Sequence, residues 1–391
     1  MAPSYPWPAT DGYLLRASNT VQALQDVGDV DYLWLQETDR PIDERPGVNL
    51  IRLRTQHTVE RGPSVREWFG PLPRRLQRLG PIDLGPVRDQ IAGPYDLVFC
   101  LNVDIWWRVQ AQLPDVPTIV DFNDLLHLLR RHHGGIRRML EGLDARKWDR
   151  LQRDAASRVS AVVVCSELDV VRCGCPNAVA AFNGYELERT PPTDRPEPPA
   201  DGGTLVMVGL WSYSANADGA EWFARQVLPL IRRVRPRLTV RFVGREVDRI
   251  KSLGGIDGVE LVGEVVDVGP ELDRADLSII PLLGGGGTRL KALEAFANRL
   301  PVISTSKGVE GIECTDRVDV FIGDGSDRFA SAVLEALDDG ELRRKLARNA
   351  AVLYEDRYRW SAIRQGVSAL VRRTIDGVGV SSGAAVPDHG R

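Results

Sequence analysis

Apolar residues fall along this chain in short runs, separated by longer stretches with helical spacing, and the alternation repeats in both halves. Residues 31–35, 49–53, 96–101, 118–121 and 161–165 read as strands in the first half. In the second, 204–209 opens a new series continued by 239–243, 259–262, 277–281 and 301–305, with 319–322 as the last. Between them the spacing predicts helices. Tyr13, Leu14, Ala17, Val21 and Leu24 mark one that begins near Asp11–Gly12, and 137–158 is the longest in the first half. Trp222, Phe223, Val227, Leu230 and Ile231 form one face of another, with Asn216 and Asp218 as start signals. Residues 326–373 read as almost wholly helical.

Strands alternating with helices imply doubly wound parallel sheets, whose ligands sit at the carboxyl ends of the strands. At 391 residues the chain is too long for one typical core, so two domains are expected. We place an N-terminal domain at 1–189, a proline-rich linker at 190–203 and a C-terminal domain at 204–357. A last helix follows at 358–376, and the glycine- and serine-rich residues 377–391 are expected to be a disordered tail.

Charge and composition narrow the partners. A net charge of −4 argues against nucleic acid. The cations are 45 arginines and only five lysines, at 147, 251, 291, 307 and 345, so a retained lysine draws notice. Five cysteines in odd number, without paired CxxC spacing or a histidine cluster, read as free thiols in a reducing cytosol, with no metal site. There is no run of eighteen apolar residues and no early GxGxxG, which argues against a membrane span and a dinucleotide oxidoreductase.

The stretch with the densest chemistry is 279–311, IIPLLGGGGTRLKALEAFANRLPVISTSKGVEG. A buried strand runs into four glycines, then a helix is predicted over 288–298. Free N–H groups of a first helical turn, its dipole and close glycine backbone make an anion site. Arg289 and Lys291 add cations, and Glu294 stands where a carboxylate could accept from two ribose hydroxyls.

Glu294, Ala295, Ala297, Pro301, Val302, Glu310 and Gly311 carry a resemblance: this segment is similar to the donor-binding segment of the group 1 (family 4-like) retaining glycosyltransferases. The resemblance implies the GT-B fold, with two Rossmann-like α/β domains facing each other across a cleft and the last helix crossing back. It also implies a nucleotide-sugar donor on the C-terminal domain, a glycan or lipid-linked acceptor on the N-terminal one, transfer with retention, and no cofactor or metal. Lys291, Arg289 and Asp124 are then the expected catalytic residues; Gly209, Asn216, Gly244, Gly286, Gly287, Thr288, Glu294 and Glu310 bind the donor; Asp11, Gly12, Asn123 and His127 face the acceptor. Gly209 and an aromatic–asparagine stretch up to Asn216, with GTRLK later, resemble a subgroup that assembles exopolysaccharide, which implies a cytoplasmic enzyme of polysaccharide or cell-envelope synthesis. The basic runs 54–91 and 130–138, with interleaved Trp68, Phe69 and Leu72, could meet an anionic membrane surface or be ordinary solvated faces.

Several departures from the family pattern stand out. Gly286 replaces a common second glutamate, no cation follows Gly209, and Asn123 stands where relatives carry histidine. The loop around Pro6–Gly12 is present while the strand that precedes it in relatives is absent, so an unfilled position in the first sheet is expected. These losses motivate a second reading, an inactive nucleotide-sugar-binding or scaffold protein. A third is another GT-B reaction such as epimerisation.

Overall fold

The computed structural model describes residues 1–9, 12–36, 45–54, 65–128, 136–285 and 289–377. Contacts divide the chain into two units, Met1–Asn183 with Ile363–Arg391, and Gly184–Ala362. The division falls inside the Asn183-Gly184 turn. Residues 190–203, expected as a linker, run within the second unit. Hydrogen bonds explain why: Arg195 of this stretch donates to the carbonyls of Leu272 and Ala275, and Arg235 from outside it donates to those of Pro199 and Gly202.

In the first unit, α1 (Gly12–Gln25) precedes β1 (Val30–Gln36), which pairs in parallel with β2 (Val48–Arg54) over their full lengths. The single-turn helix α2 (Arg74–Leu79) follows. Then β3 (Val98–Leu101), α3 (Val103–Val109), β4 (Thr118–Asp121), α4 (Ile136–Arg158), β5 (Ala161–Val164), α5 (Glu167–Cys173) and β6 (Ala178–Ala180) build a parallel sheet in the order β3-β4-β5-β6. The three-residue β6 is not visible in the apolar pattern, because only Ala178 of it is buried.

The expected gap in this sheet is bridged. Ala2 donates to the carbonyl of Leu33 and accepts from the amide of Leu35, while Met1 accepts from the amide of Leu101. Its terminal amine donates to the carbonyl of Phe99 at 2.6 Å. Met1 and Ala2 therefore hold the place between β1 and β3, too short to show as a periodic strand but sufficient to join the two sheet pieces.

The second unit carries β7 (Thr204–Val208), α6 (Ser214–Trp222), α7 (Leu228–Arg232), β8 (Thr239–Val243), β9 (Val259–Gly263), α8 (Gly269–Arg274), β10 (Leu277–Ile280), α9 (Leu290–Ala297), β11 (Val302–Ser304) and β12 (Phe321–Ile322). Its strands are all parallel, in the order β12-β11-β10-β7-β8-β9. Helices α10 (Ser326–Asp338) and α11 (Gly340–Leu353) follow, and α12 (Trp360–Ile375) runs on into the first unit. The central strands are buried along their length, as a sheet covered on both faces requires. Two Rossmann-like α/β units result. Among the described residues no helix is long and apolar enough to cross a membrane.

Two local expectations are corrected. Helix α6 begins at Ser214 with Tyr213 as its N-cap residue, so Asn216 lies inside the first turn and caps nothing. Helix α9 begins at Leu290, and Arg289 is its N-cap residue with non-helical φ −84° and ψ 61°. Arg289 and Lys291 thus do not sit on opposite sides of one regular helix, as a start at 288 would require.

Candidate functional site

At the carboxyl ends of β7, β8 and β10 the second unit gathers most of the predicted donor-binding residues. Helix α9 presents Lys291 and Glu294 one turn apart, while Ala292, Leu293, Ala295 and Phe296 bury its other face. Lys291 Nζ donates to Asn216 Oδ1 at 2.5 Å, and Asn216 Nδ2 donates to the carbonyl of Leu210 at 2.9 Å. The amide side chain, buried at 5% exposure, ties the loop after β7 to the helix after the glycines. Gly209 and Gly244 make that approach possible. A Cβ on Gly244, whose φ is +131°, would lie 1.9 Å from the Gly209 carbonyl oxygen, so no other residue fits there.

Lys291 is pressed down to about 7, first by burial and then by the neighbouring Arg289 cation. Glu294 is pushed up to about 7, first by burial. Its carboxylate accepts from the Tyr185 hydroxyl at 3.4 Å, and that contact and Lys291 both favour its ionised form. Two groups whose charged forms burial disfavours are readily charged by a ligand that supplies what each lacks.

Arg289 is almost fully buried, at 4% exposure. Its guanidinium donates to the carbonyls of Lys307 (3.1 Å) and Gly285 (3.0 Å) and stands 3.8 Å from Glu310. Glu310 also pairs with Lys307. Arg289 therefore braces the glycine-rich segment against the turn after β11, and Lys307 is the more exposed cation. That turn is set by Thr305, whose hydroxyl accepts from the amide of Gly308 at 3.0 Å and donates to the carbonyl of Leu282 at 2.5 Å. Gly286, Gly287 and Thr288 lie outside the described residues.

In this unit two participants were missed from the sequence. Lys307 carried the same signal as Lys291, being one of five lysines among 45 arginines. Tyr185 follows the Asn-Gly turn, and nothing local predicts that its hydroxyl reaches a carboxylate 109 residues away.

In the first unit, the predicted acceptor-side and catalytic residues gather after β4. Asn123 adopts a left-handed φ of 57°, with its amide donating to Asp121 Oδ1 at 2.8 Å and its carbonyl accepting from Cys165. Asp124 follows, half-buried, and its carbonyl accepts from Gln152 at 3.3 Å. His127 Nδ1 lies 3.0 Å from Gln152 Oε1, so Gln152 orients both. Arg16, which the sequence pattern concealed inside α1, holds this corner. It pairs with Asp121 at 2.5 Å and donates to Asn183 Oδ1 at 2.9 Å and to the carbonyl of Ala181 at 2.8 Å. Gly12 opens α1, and Asp11 lies outside the described residues. Of the basic runs, Arg74, Arg75 and Arg78 pair with Glu67 or Asp104, and 130–135 are outside the described residues.

Two parallel-sheet units of this kind, with a glycine-rich helix start at the strand ends of the second, define the GT-B fold. Residues 202–339 match the family described as Glycosyl transferases group 1. An uncharacterised 44.6 kDa protein in the cps region of Klebsiella pneumoniae is 24% identical over 163 residues; the match covers 39% of this chain and 42% of that relative, less than half its length. Solved structures agree in fold over nearly the whole chain. Sucrose-phosphate synthase from Thermosynechococcus elongatus superposes with a TM-score of 0.68 at 17% identity, covering 96% of this chain and 98% of that one. HepE from Anabaena, in complex with UDP and glucose, gives 0.61 at 16% identity over 95% and 98%. WaaG, a glycosyltransferase involved in lipopolysaccharide biosynthesis, gives 0.62 at 14% identity over 94% and 98%.

Proposed function

We propose that this protein transfers a sugar from a nucleotide-sugar donor to a glycan or lipid-linked acceptor in polysaccharide or cell-envelope synthesis, with retention at the anomeric carbon. The observation that carries the reading is the half-buried pair on α9: a lysine and a carboxylate, one turn apart, both shifted to about 7 and set just after a glycine-rich stretch. A diphosphate supplies the anion that Lys291 lacks, and a ribose supplies hydroxyl donors for Glu294. When the anomeric C–O bond breaks, its electron pair leaves with the diphosphate. Lys291 and the positive end of α9 meet that charge, each well-aimed donor being worth roughly 3–4 kcal/mol of barrier. The acceptor oxygen bonds to the anomeric carbon, and its proton passes to the departing phosphate. Asp124 is the carboxylate we assign to the acceptor side.

HepE was solved with UDP, so uridine donors form the first arm of the test. A thermal-shift panel of UDP, GDP, dTDP and ADP should single out one nucleotide, since ligand at 100 times its Kd adds about 2.7 kcal/mol of stability. Turnover of the matching sugar nucleotide, unaffected by EDTA, is then expected. No shift with any of the four overturns the proposal. The second reading, an inactive binding protein, draws on Gly286 and the cation-free segment after Gly209. A shift without hydrolysis or transfer of the donor would favour it.

A further inference from the structure

The second unit carries a cavity that the donor chemistry does not use. It encloses about 210 Å³ and lies where β10 and β11 begin, with Asp276 and Pro301 in its wall. The predicted donor-binding residues gather at the carboxyl ends of the strands, so this cavity belongs to the other end of the same sheet. Its lining runs against the character of the chain. Five arginines face three carboxylates there, in a protein whose net charge is −4. Arg195 comes from the segment before β7, Arg299 from just beyond α9, and Arg343, Arg344 and Arg348 from α11.

The carboxylates do not satisfy these cations. Glu197 is shared by Arg343 and Arg344, 3.2 Å from the latter, and its side chain is 63% exposed, so water screens both pairs. Asp276 accepts from the Thr204 amide at 2.7 Å, and Asp194 from the Arg195 amide at 3.1 Å. Among the described residues the side chains of Arg299 and Arg348 make no hydrogen bond and meet no carboxylate. Arg344 and Arg348 also stand four residues apart on one helix, where like charges repel. Two other cations are fixed in place. Arg343 donates to the carbonyls of Ala336 and Leu337, both at 2.7 Å, and Arg195 to that of Asn298 at 3.1 Å. The cavity therefore combines a rigid cationic wall with two exposed arginines able to close on a guest.

The chemistry of a suitable guest follows. Surplus positive charge around a concave space favours an anion that carries more than one negative charge. Guanidinium forks match phosphate oxygens in pairs, which favours phosphate over a single carboxylate. The volume lies below the roughly 300–1,000 Å³ of sites for drug-sized ligands, so it suits a small anion and not a complete nucleotide-sugar.

We propose that this cavity is a second binding site, separate from the donor site, for a small phosphate-bearing anion held chiefly by Arg299 and Arg348. The assignment does not depend on the transferase reading. Calorimetric titration of the full chain with inorganic phosphate, pyrophosphate and glucose 1-phosphate, at fixed ionic strength, tests it. Lys291 could also hold a diphosphate, so each titration is repeated on Lys291→Met. At least one of the three anions should bind, and its affinity should survive Lys291→Met within about threefold. Arg299→Met and Arg348→Met together should weaken it at least about tenfold. Both residues are exposed, so the melting temperature should stay that of the wild type. Arg233 and Arg328, exposed arginines of the same unit that do not line the cavity, are the charge control. Methionine at both should leave the affinity within about threefold. The tightest of the three anions identifies the source as free phosphate, diphosphate or sugar phosphate. No binding by any of them, loss of binding in Lys291→Met, or equal weakening in the control pair overturns the site. Failure of the nucleotide panel would leave it standing.

Discussion

Donor binding should be linked to protons, and the sign follows from the half-buried pair on α9. In the free protein burial and Arg289 lower Lys291 to about 7, so above that pH it is mostly neutral. A bound diphosphate restores the ammonium, because an anion in contact raises the pKa of a lysine. Binding above pH 7 must then take up a proton, and affinity should fall about tenfold per pH unit, or about 1.4 kcal/mol each. Glu294, raised to about 7 by burial, acts in the opposite direction. Below pH 7 it is protonated and can accept one ribose hydroxyl well but not two, so affinity should also fall on the acid side, less steeply. The two titrate as a coupled pair, and variants are needed to separate the limbs. Calorimetric titration with the selected sugar nucleotide, in two buffers of different ionisation enthalpy, counts the protons directly. Near one proton should be taken up at pH 8. Lys291→Met should bind more weakly and lose the alkaline limb; Glu294→Gln should lose the acid limb. A dissociation constant flat from pH 6.5 to 9 with no proton uptake, in a folded protein, would refute this reasoning.

Other substitutions probe what holds the site. Glu294→Gln should weaken nucleotide binding while the melting temperature of the free protein stays near wild type; unchanged affinity removes Glu294 from the ribose. Gly244→Ala puts a Cβ 1.9 Å from a carbonyl oxygen at a positive φ, and chemical denaturation should show a loss of at least about 2 kcal/mol. Arg16→Met leaves Asp121 buried without its partner, which costs about 3–5 kcal/mol on the same measurement.

The parts legible in the sequence were those encoded locally. The strands at 118–121 and 239–243 agree with the structure to the residue, because each is a short apolar run between turn residues. That α9 carries Lys291 and Glu294 one turn apart was readable for the same reason: strand, turn, cation and carboxylate lie within twenty consecutive positions. Spacing failed where a role is set across the sheet. Asn216 looks like a helix cap by residue type, yet its partner is Lys291, 75 residues on, and the side chain turns to it. Arg16 is one charged residue among the apolar positions of a helix, and only the return of β4 to its side shows that its charge is met by Asp121, 105 residues away.

The pattern of these failures says something about the site itself. Tyr185, Lys307, Asn216 and Arg16 each act on a residue that was recognised or on its immediate neighbour. A carboxylate or lysine announces its chemistry by type, whereas the groups that orient it are ordinary in type and extraordinary only in place. Lys291 illustrates the consequence. Its rarity in an arginine-rich chain marked it, but its lowered pKa comes from burial and from Arg289, both products of the fold. Arginine at 291 would stay charged under the same burial, since its ordinary pKa lies far above any physiological pH. Lys291→Arg should therefore abolish the proton uptake on donor binding at pH 8 even where it preserves affinity. A variant that keeps the uptake would show that the linked proton belongs to another group.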